Sequence, residues 1–125
     1  MFKGASYLLE ILSNINIKGR KKLQKMIFLL ENNGMETPYK YSYHFYGPYS
    51  AQLQDEIDFL VQQEFLEEIK ENGTYLYKIT DHGKEFKKQI HGNYHVSINK
   101  ELLVKLNNEN SQFLEMLSTY VFLLE

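Results

Sequence analysis

FLEEIKENGTYLYKIT, residues 65–80, decides the fold. Asn72-Gly73 is the preferred residue pair for a two-residue type I′ turn, because both central positions need positive φ. Placing the turn there fixes the register of a hairpin. Ile69 then faces Leu76, Leu66 faces Ile79, and Glu67 faces Lys78. Two apolar pairs and one opposite-charge pair agree with each other, as a real hairpin requires.

Upstream, Ala5, Leu8, Leu9 and Leu12 fall on one face of a helix from about residue 2 to 14. A second helix runs from about Gly19 to Asn32, with Leu23, Ile27 and Leu30 inward, and stops at Gly34. Residues 39–46 then alternate Tyr39, Tyr41, Tyr43 and Phe45 with Lys40, Ser42 and His44. Period two predicts an extended segment, ended by Gly47-Pro48. A third helix follows Ser50, a good N-cap, and carries Leu53, Ile57, Leu60 and Val61 as its stripe. Downstream of the hairpin, Thr80 or Asp81 caps a fourth helix reaching about Ile90, and residues 100–107 and 111–124 form two more.

Helix, helix, extended segment, helix and hairpin is the order of a winged helix-turn-helix. The expected class is α+β, mainly helical, with a two-stranded wing. Residues 1–91 form the winged helix and residues 92–125 a C-terminal helical extension packed on it, in a single compact domain.

Composition narrows the function. The 125 residues are 43% hydrophobic and 24% charged, ordinary for one folded domain. With no Cys, disulfide and thiolate chemistry are excluded. No stretch approaches the roughly 18 apolar residues of a membrane span, and the N-terminal MFKGASYLLEIL lacks a secretory h-region, so a cytoplasmic protein is expected. Net charge is -2, whereas nucleic-acid-binding domains are usually basic. GxSxG, Walker A, GxGxxG and HExxH motifs are all missing, so the chain reads as a non-enzyme without a cofactor. His91 and His95 have the i, i+4 spacing of zinc ligands, but Gly92-Asn93 breaks a helix between them, and no metal site is expected.

Two segments carry a family resemblance. Lys22-Leu23-Gln24-Lys25-Met26-Ile27-Phe28-Leu29-Leu30 is similar to the LQK helix of YwgA-like proteins, and more distantly of Panacea (SocA-like) antitoxin domains. Tyr46-Gly47-Pro48-Tyr49-Ser50 resembles the YGPYS motif of the former. Tyr77-Lys78-Ile79-Thr80-Asp81-His82-Gly83 is similar to a Y-x-I-T-x-x-G element that ends many wings. The likeness covers roughly residues 5–90. It implies a winged helix, and its antitoxin branch implies neutralisation by direct protein contact.

Two surfaces compete for the binding role. Lys18, Arg20, Lys21, Lys22 and Lys25 cluster at the start of the second helix and could seat a DNA backbone, with Gln54 reading bases. A solvated helix face is the plain alternative. The third helix is the opposite case. From Ser50 to Glu71 seven acids stand against one base, a local charge of -6. Phosphate would be repelled there, and a basic protein partner fits better. Tyr46, Tyr49, Gln52, Asp55, Asp58 and Gln62 are the expected partner contacts. Tyr41, Tyr43 and Phe45 are expected to pack inward, while Tyr46 and Tyr49 shape a turn beside Gly47-Pro48. In the last helix, Phe113, Leu117, Tyr120, Val121 and Leu124 form a stripe that either caps the core or pairs two chains in a homodimer. The function expected is regulation by binding a protein; the alternative is a DNA-binding transcription regulator.

Overall fold

The computed structural model describes residues 2–93 and 96–125. The elements in order are α1 (Lys3–Asn14), β1 (Ile17–Lys18), α2 (Arg20–Asn32), β2 (Ser42–His44), β3 (Gly47–Tyr49), α3 (Ala51–Gln62), β4 (Leu66–Glu71), β5 (Thr74–Ile79), α4 (Asp81–Ile90), α5 (Lys100–Asn107) and α6 (Ser111–Leu124). A single 3-10 turn, His91–Asn93, follows α4. The protein is α+β: helices and two small antiparallel sheets.

The hairpin of β4 and β5 has the register that Asn72-Gly73 dictates, with Leu66 against Ile79, Glu67 against Lys78 and Ile69 against Leu76. Asn72 has φ 48° and Gly73 φ 80°, the two positive values of a type I′ turn. A third strand joins it. Ile17 pairs with Tyr77 and Lys18 with Leu76, which gives the sheet order β1-β5-β4. Two residues are too few to show alternation, so β1 is invisible to a periodicity search. Ile17 is nonetheless fully buried.

The core lies where the inner faces of α1, α2 and α3 meet this sheet. Leu8, Leu9 and Leu12, Leu23 and Ile27, Leu53, Ile57 and Leu60, and Leu66 and Tyr77 are all buried. Helix starts are capped from the side chain: Ser50 Oγ accepts from Leu53 N, Thr80 Oγ1 from Gly83 N, and Asn110 Oδ1 from Phe113 N. The C-terminal helices lie along α2: α5 and α6 both pack on it, and α6 also covers β3. No helix among the described residues is long and apolar enough to cross a membrane.

Two expectations are corrected. Residues 39–46 do not form one strand packed inward. The chain reverses at Phe45-Tyr46, and β2 pairs back on β3 with Ser42 against Tyr49 and Tyr43 against Pro48. The ribbon stands off the core, leaving Tyr43 57% and Phe45 98% exposed. Only the first half packs inward: Tyr39 is buried and the Tyr41 ring meets Phe28 edge-on at 5.0 Å. The stripe on α6 is also rotated. Its inner side holds Leu114 and Ser118, flanked by half-buried Leu117, Val121 and Phe122. Phe113, Tyr120 and Leu124 face outward. Small residues turn inward because β3 lies close: a Cβ on Gly47 would meet Thr119 Oγ1 at 2.5 Å.

Candidate functional site

The two family-like segments are one structural unit. Gln24 is buried on α2, and its side-chain amide makes two bonds to the backbone of Ser50. Nε2 donates to Ser50 O and Oε1 accepts from Ser50 N, both at 2.9 Å. At the next residue, Lys25 Nζ donates to Pro48 O at 2.7 Å. Gly47, at φ 92° and pressed against α6, lets the ribbon come close enough for these bonds. Ser50 then caps α3. The LQK residues thus hold the GPYS backbone, which in turn sets where α3 begins.

Between α2, the β2–β3 ribbon and α3 lies a cleft of about 430 Å³. Its walls include Lys21, Lys25, Phe45, Tyr46, Tyr49 and Asp58. Lys21 Nζ sits 3.9 Å from the centre of the Tyr46 ring, a cation–π contact. The His44 and Tyr49 rings are 4.9 Å apart. Burial lowers the Lys25 ammonium to a pKa of about 8; the carboxylate of Glu115 opposes this fall and the charge of Lys21 adds to it.

On α3, Gln52, Asp55, Phe59 and Gln62 occupy i, i+3, i+7 and i+10, one exposed stripe. Phe59 is 43% exposed in the middle of it. Gln52 Oε1 accepts from Lys40 N at 3.0 Å, and Glu56 accepts from the Tyr39 hydroxyl at 2.6 Å. On the neighbouring stripe the Gln54 amide donates to Asp58 Oδ1 at 3.0 Å, so this glutamine is partly engaged inside its own helix.

The basic cluster comes apart. Lys25 is 2% exposed and belongs to the cleft floor, which removes it from any surface patch. Lys22 donates to Asn107 O at 2.6 Å and is half-buried, its ammonium lowered by desolvation. Arg20 lies 4.0 Å over the Tyr75 ring and pairs with Glu68 at 3.4 Å. Lys18 and Lys21 are exposed. The five cations are therefore not one surface, because a helix puts successive residues on different sides. Of the expected partner contacts, Gln52, Asp55 and Gln62 share the outer stripe, whereas Tyr46, Tyr49 and Asp58 line the cleft. Phe59 and Gln24 were not singled out from the sequence. The 52-55-59-62 spacing could have found the first; the second needs the position of Ser50. Among the described residues no group of three His, Cys, Asp or Glu is placed to hold a metal. His95 lies outside the described residues.

These features define a small α+β domain in which a two-stranded ribbon is tethered between two helices over a cleft. No family model matches the sequence. The chain is 36% identical over 129 aligned positions to a protein of Bacillus subtilis (strain 168) named "Uncharacterized protein YwgA", with 98% of this chain and 75% of that protein covered. The chain belongs to the YwgA family.

Proposed function

We propose that this chain is a non-enzymatic winged-helix module that acts by binding a protein partner bearing basic groups, in the manner of an antitoxin or adaptor. Support for the winged helix comes from topology. The order α1-β1-α2-α3-β4-β5, with β5 central in its sheet, supports reading α3 as the recognition helix and the Asn72-Gly73 hairpin as the wing. The observation that carries the partner reading is the outer stripe of α3. It presents Asp55 and a half-exposed Phe59 between Gln52 and Gln62, with no Lys or Arg anywhere in the helix. A duplex in the usual recognition geometry would bring phosphates against that charge. An aromatic anchor ringed by polar groups suits a protein hot spot.

A second reading, a DNA-binding regulator, draws on Lys18, Arg20 and Lys21 beside the wing. It is weakened by the burial of Lys25 and the engagement of Lys22. A homodimer would use Met116, Tyr120, Leu123 and Leu124, all exposed on α6.

The test compares the wild-type chain with Asp55→Lys/Phe59→Ala and with Lys18→Glu/Lys21→Glu. Chemical crosslinking in cells of the source organism should trap a basic protein on the wild type and on the lysine variant, and lose it on the α3 variant. Duplex DNA binding with a steep salt slope, abolished by Lys18→Glu/Lys21→Glu and kept by Asp55→Lys/Phe59→Ala, would overturn the protein-partner reading.

A further inference from the structure

The cleft between α2 and the ribbon holds a group that the partner reading leaves unused. Lys25 is 2% exposed, and its ammonium has one hydrogen-bond acceptor, the neutral carbonyl of Pro48. Its other two N–H donors have no acceptor among the described residues. An ammonium taken out of water is costly unless its donors are met, and buried cations are normally paired. Lys25 reaches the lining of the cleft, and Lys21, one turn before it, stands at the rim over Tyr46. Arg20 also borders the cleft but is held by Glu68 and Tyr75. The aromatic side of the same cleft carries Phe45, 98% exposed, and Tyr46, 54% exposed. Exposed rings beside Lys21 and a Lys25 ammonium with a single hydrogen-bond acceptor match a ligand with one anionic end and one flat face.

We propose that the cleft binds a nucleotide unit, with its phosphate on Lys25 and Lys21 and its base against Phe45 and Tyr46. Phosphate supplies several acceptors to an ammonium that has only one now. Bases stack on aromatic side chains whatever their identity. The volume, about 430 Å³, falls in the range of roughly 300–1,000 Å³ common to small-molecule sites. Among the described residues Asp58 is the acid on the lining and already accepts from Gln54, while Glu115 of α6 acts on Lys25 from outside the lining. Asp58 can accept from a ribose hydroxyl and would repel phosphate, which sets the ligand's orientation. The site does not need the Asp55–Phe59 stripe, because it uses Asp58 on the neighbouring stripe of α3, so separate variants test the two readings.

The test is isothermal titration of the full chain with AMP, adenosine, inorganic phosphate and a single-stranded oligothymidylate. AMP should bind with a dissociation constant on the order of 100 µM, and more tightly than adenosine or inorganic phosphate. Lys25→Met and Lys21→Ala should each weaken AMP by about tenfold. Lys21 is exposed, so its variant keeps the test valid should Lys25→Met misfold. Phe45→Ser should weaken AMP and leave inorganic phosphate unchanged; Lys88→Ala, on the exposed side of α4, should change neither. Tighter binding of the oligonucleotide than of AMP, lost in the same variants, supports the site with a strand as the source; binding of AMP alone supports it with a free nucleotide as the source. Absence of binding of AMP and oligonucleotide alike to the folded chain, or affinities untouched by both lysine variants, would overturn the proposal.

Discussion

Lys25→Met should change how stability depends on pH, and the size of the change follows from the cleft. In the folded chain the ammonium has a pKa of about 8, against 10.5 for a free lysine, chiefly because burial strips its water. A folded pKa below the unfolded one means that the unfolded chain binds more protons between those two values. Stability therefore rises with pH from about 8 toward 10.5, and the penalty is fully present below 8. A difference of about 2.5 units at 1.36 kcal/mol each is about 3 kcal/mol at neutral pH. Methionine removes that penalty and keeps the side-chain volume. It also leaves Pro48 O without its donor, which costs about 1–3 kcal/mol. The two terms nearly cancel, so the variant should match the wild type within about 2 kcal/mol at pH 7. The assay is urea denaturation followed by circular dichroism at pH 7, 8, 9 and 10. Relative to Lys25→Met, the wild type should gain up to about 1.4 kcal/mol per pH unit above 8. Measurements stop at 10, because burial raises the hydroxyls of Tyr39, Tyr41 and Tyr77. Above that pH the unfolded chain ionises first and stability falls for a separate reason. Parallel pH curves for the two proteins would refute the claim that this ammonium is buried at a cost.

The tether and the ribbon give two further expectations. Gln24→Leu should lower stability by about 1–3 kcal/mol, since the N–H of buried Ser50 loses its partner while its C=O keeps the bond from Gln54 N; thermal denaturation reads it. A melting point within a degree of wild type would show that water replaces the amide. Gly47→Ala should cost about 1–3 kcal/mol, because φ 92° is unfavourable for alanine and the new methyl meets Thr119. Pairing it with Thr119→Ala should recover only the steric part, and full recovery would show that the backbone angle is unstrained.

How much of this was legible depended on whether a feature is local. The Asn72-Gly73 hairpin was readable to the pair, because turn chemistry and register are set by adjacent residues. Helix bounds and the Ser50 and Thr80 caps came from the same kind of signal. The aromatic run misled because alternation reports an extended backbone, not which side is covered. Tyr43 and Phe45 are exposed because the chain turns at Phe45-Tyr46 and pairs with itself. The α6 stripe misled because hydrophobicity was weighed without Gly47, whose close approach selects Ser118 and Thr119 for the inner side. The basic cluster was a cluster only in sequence. Lys22 and Lys25 lie on the inner half of α2 and bond carbonyls of Asn107 and Pro48.

That last point bears on how the two motifs should be read. A Lys, a Gln and a Gly-Pro-Tyr-Ser run look like ligand-contacting chemistry, yet most of their polar atoms face each other. Gln24 spends its amide on Ser50, and Gly47 serves close packing. If structure were the whole purpose, a neutral donor in place of Lys25 would hold Pro48 O without desolvating a charge. What remains unspent is therefore the informative part: two N–H donors of Lys25, and the exposed ring of Phe45 on the same cleft. They meet in one cleft, while Asp58 faces that cleft and Asp55 lies on the neighbouring stripe of α3. A domain built this way can hold a small anionic ligand in the cleft and a macromolecular partner on the adjoining stripe of α3, with the same helix start positioning both.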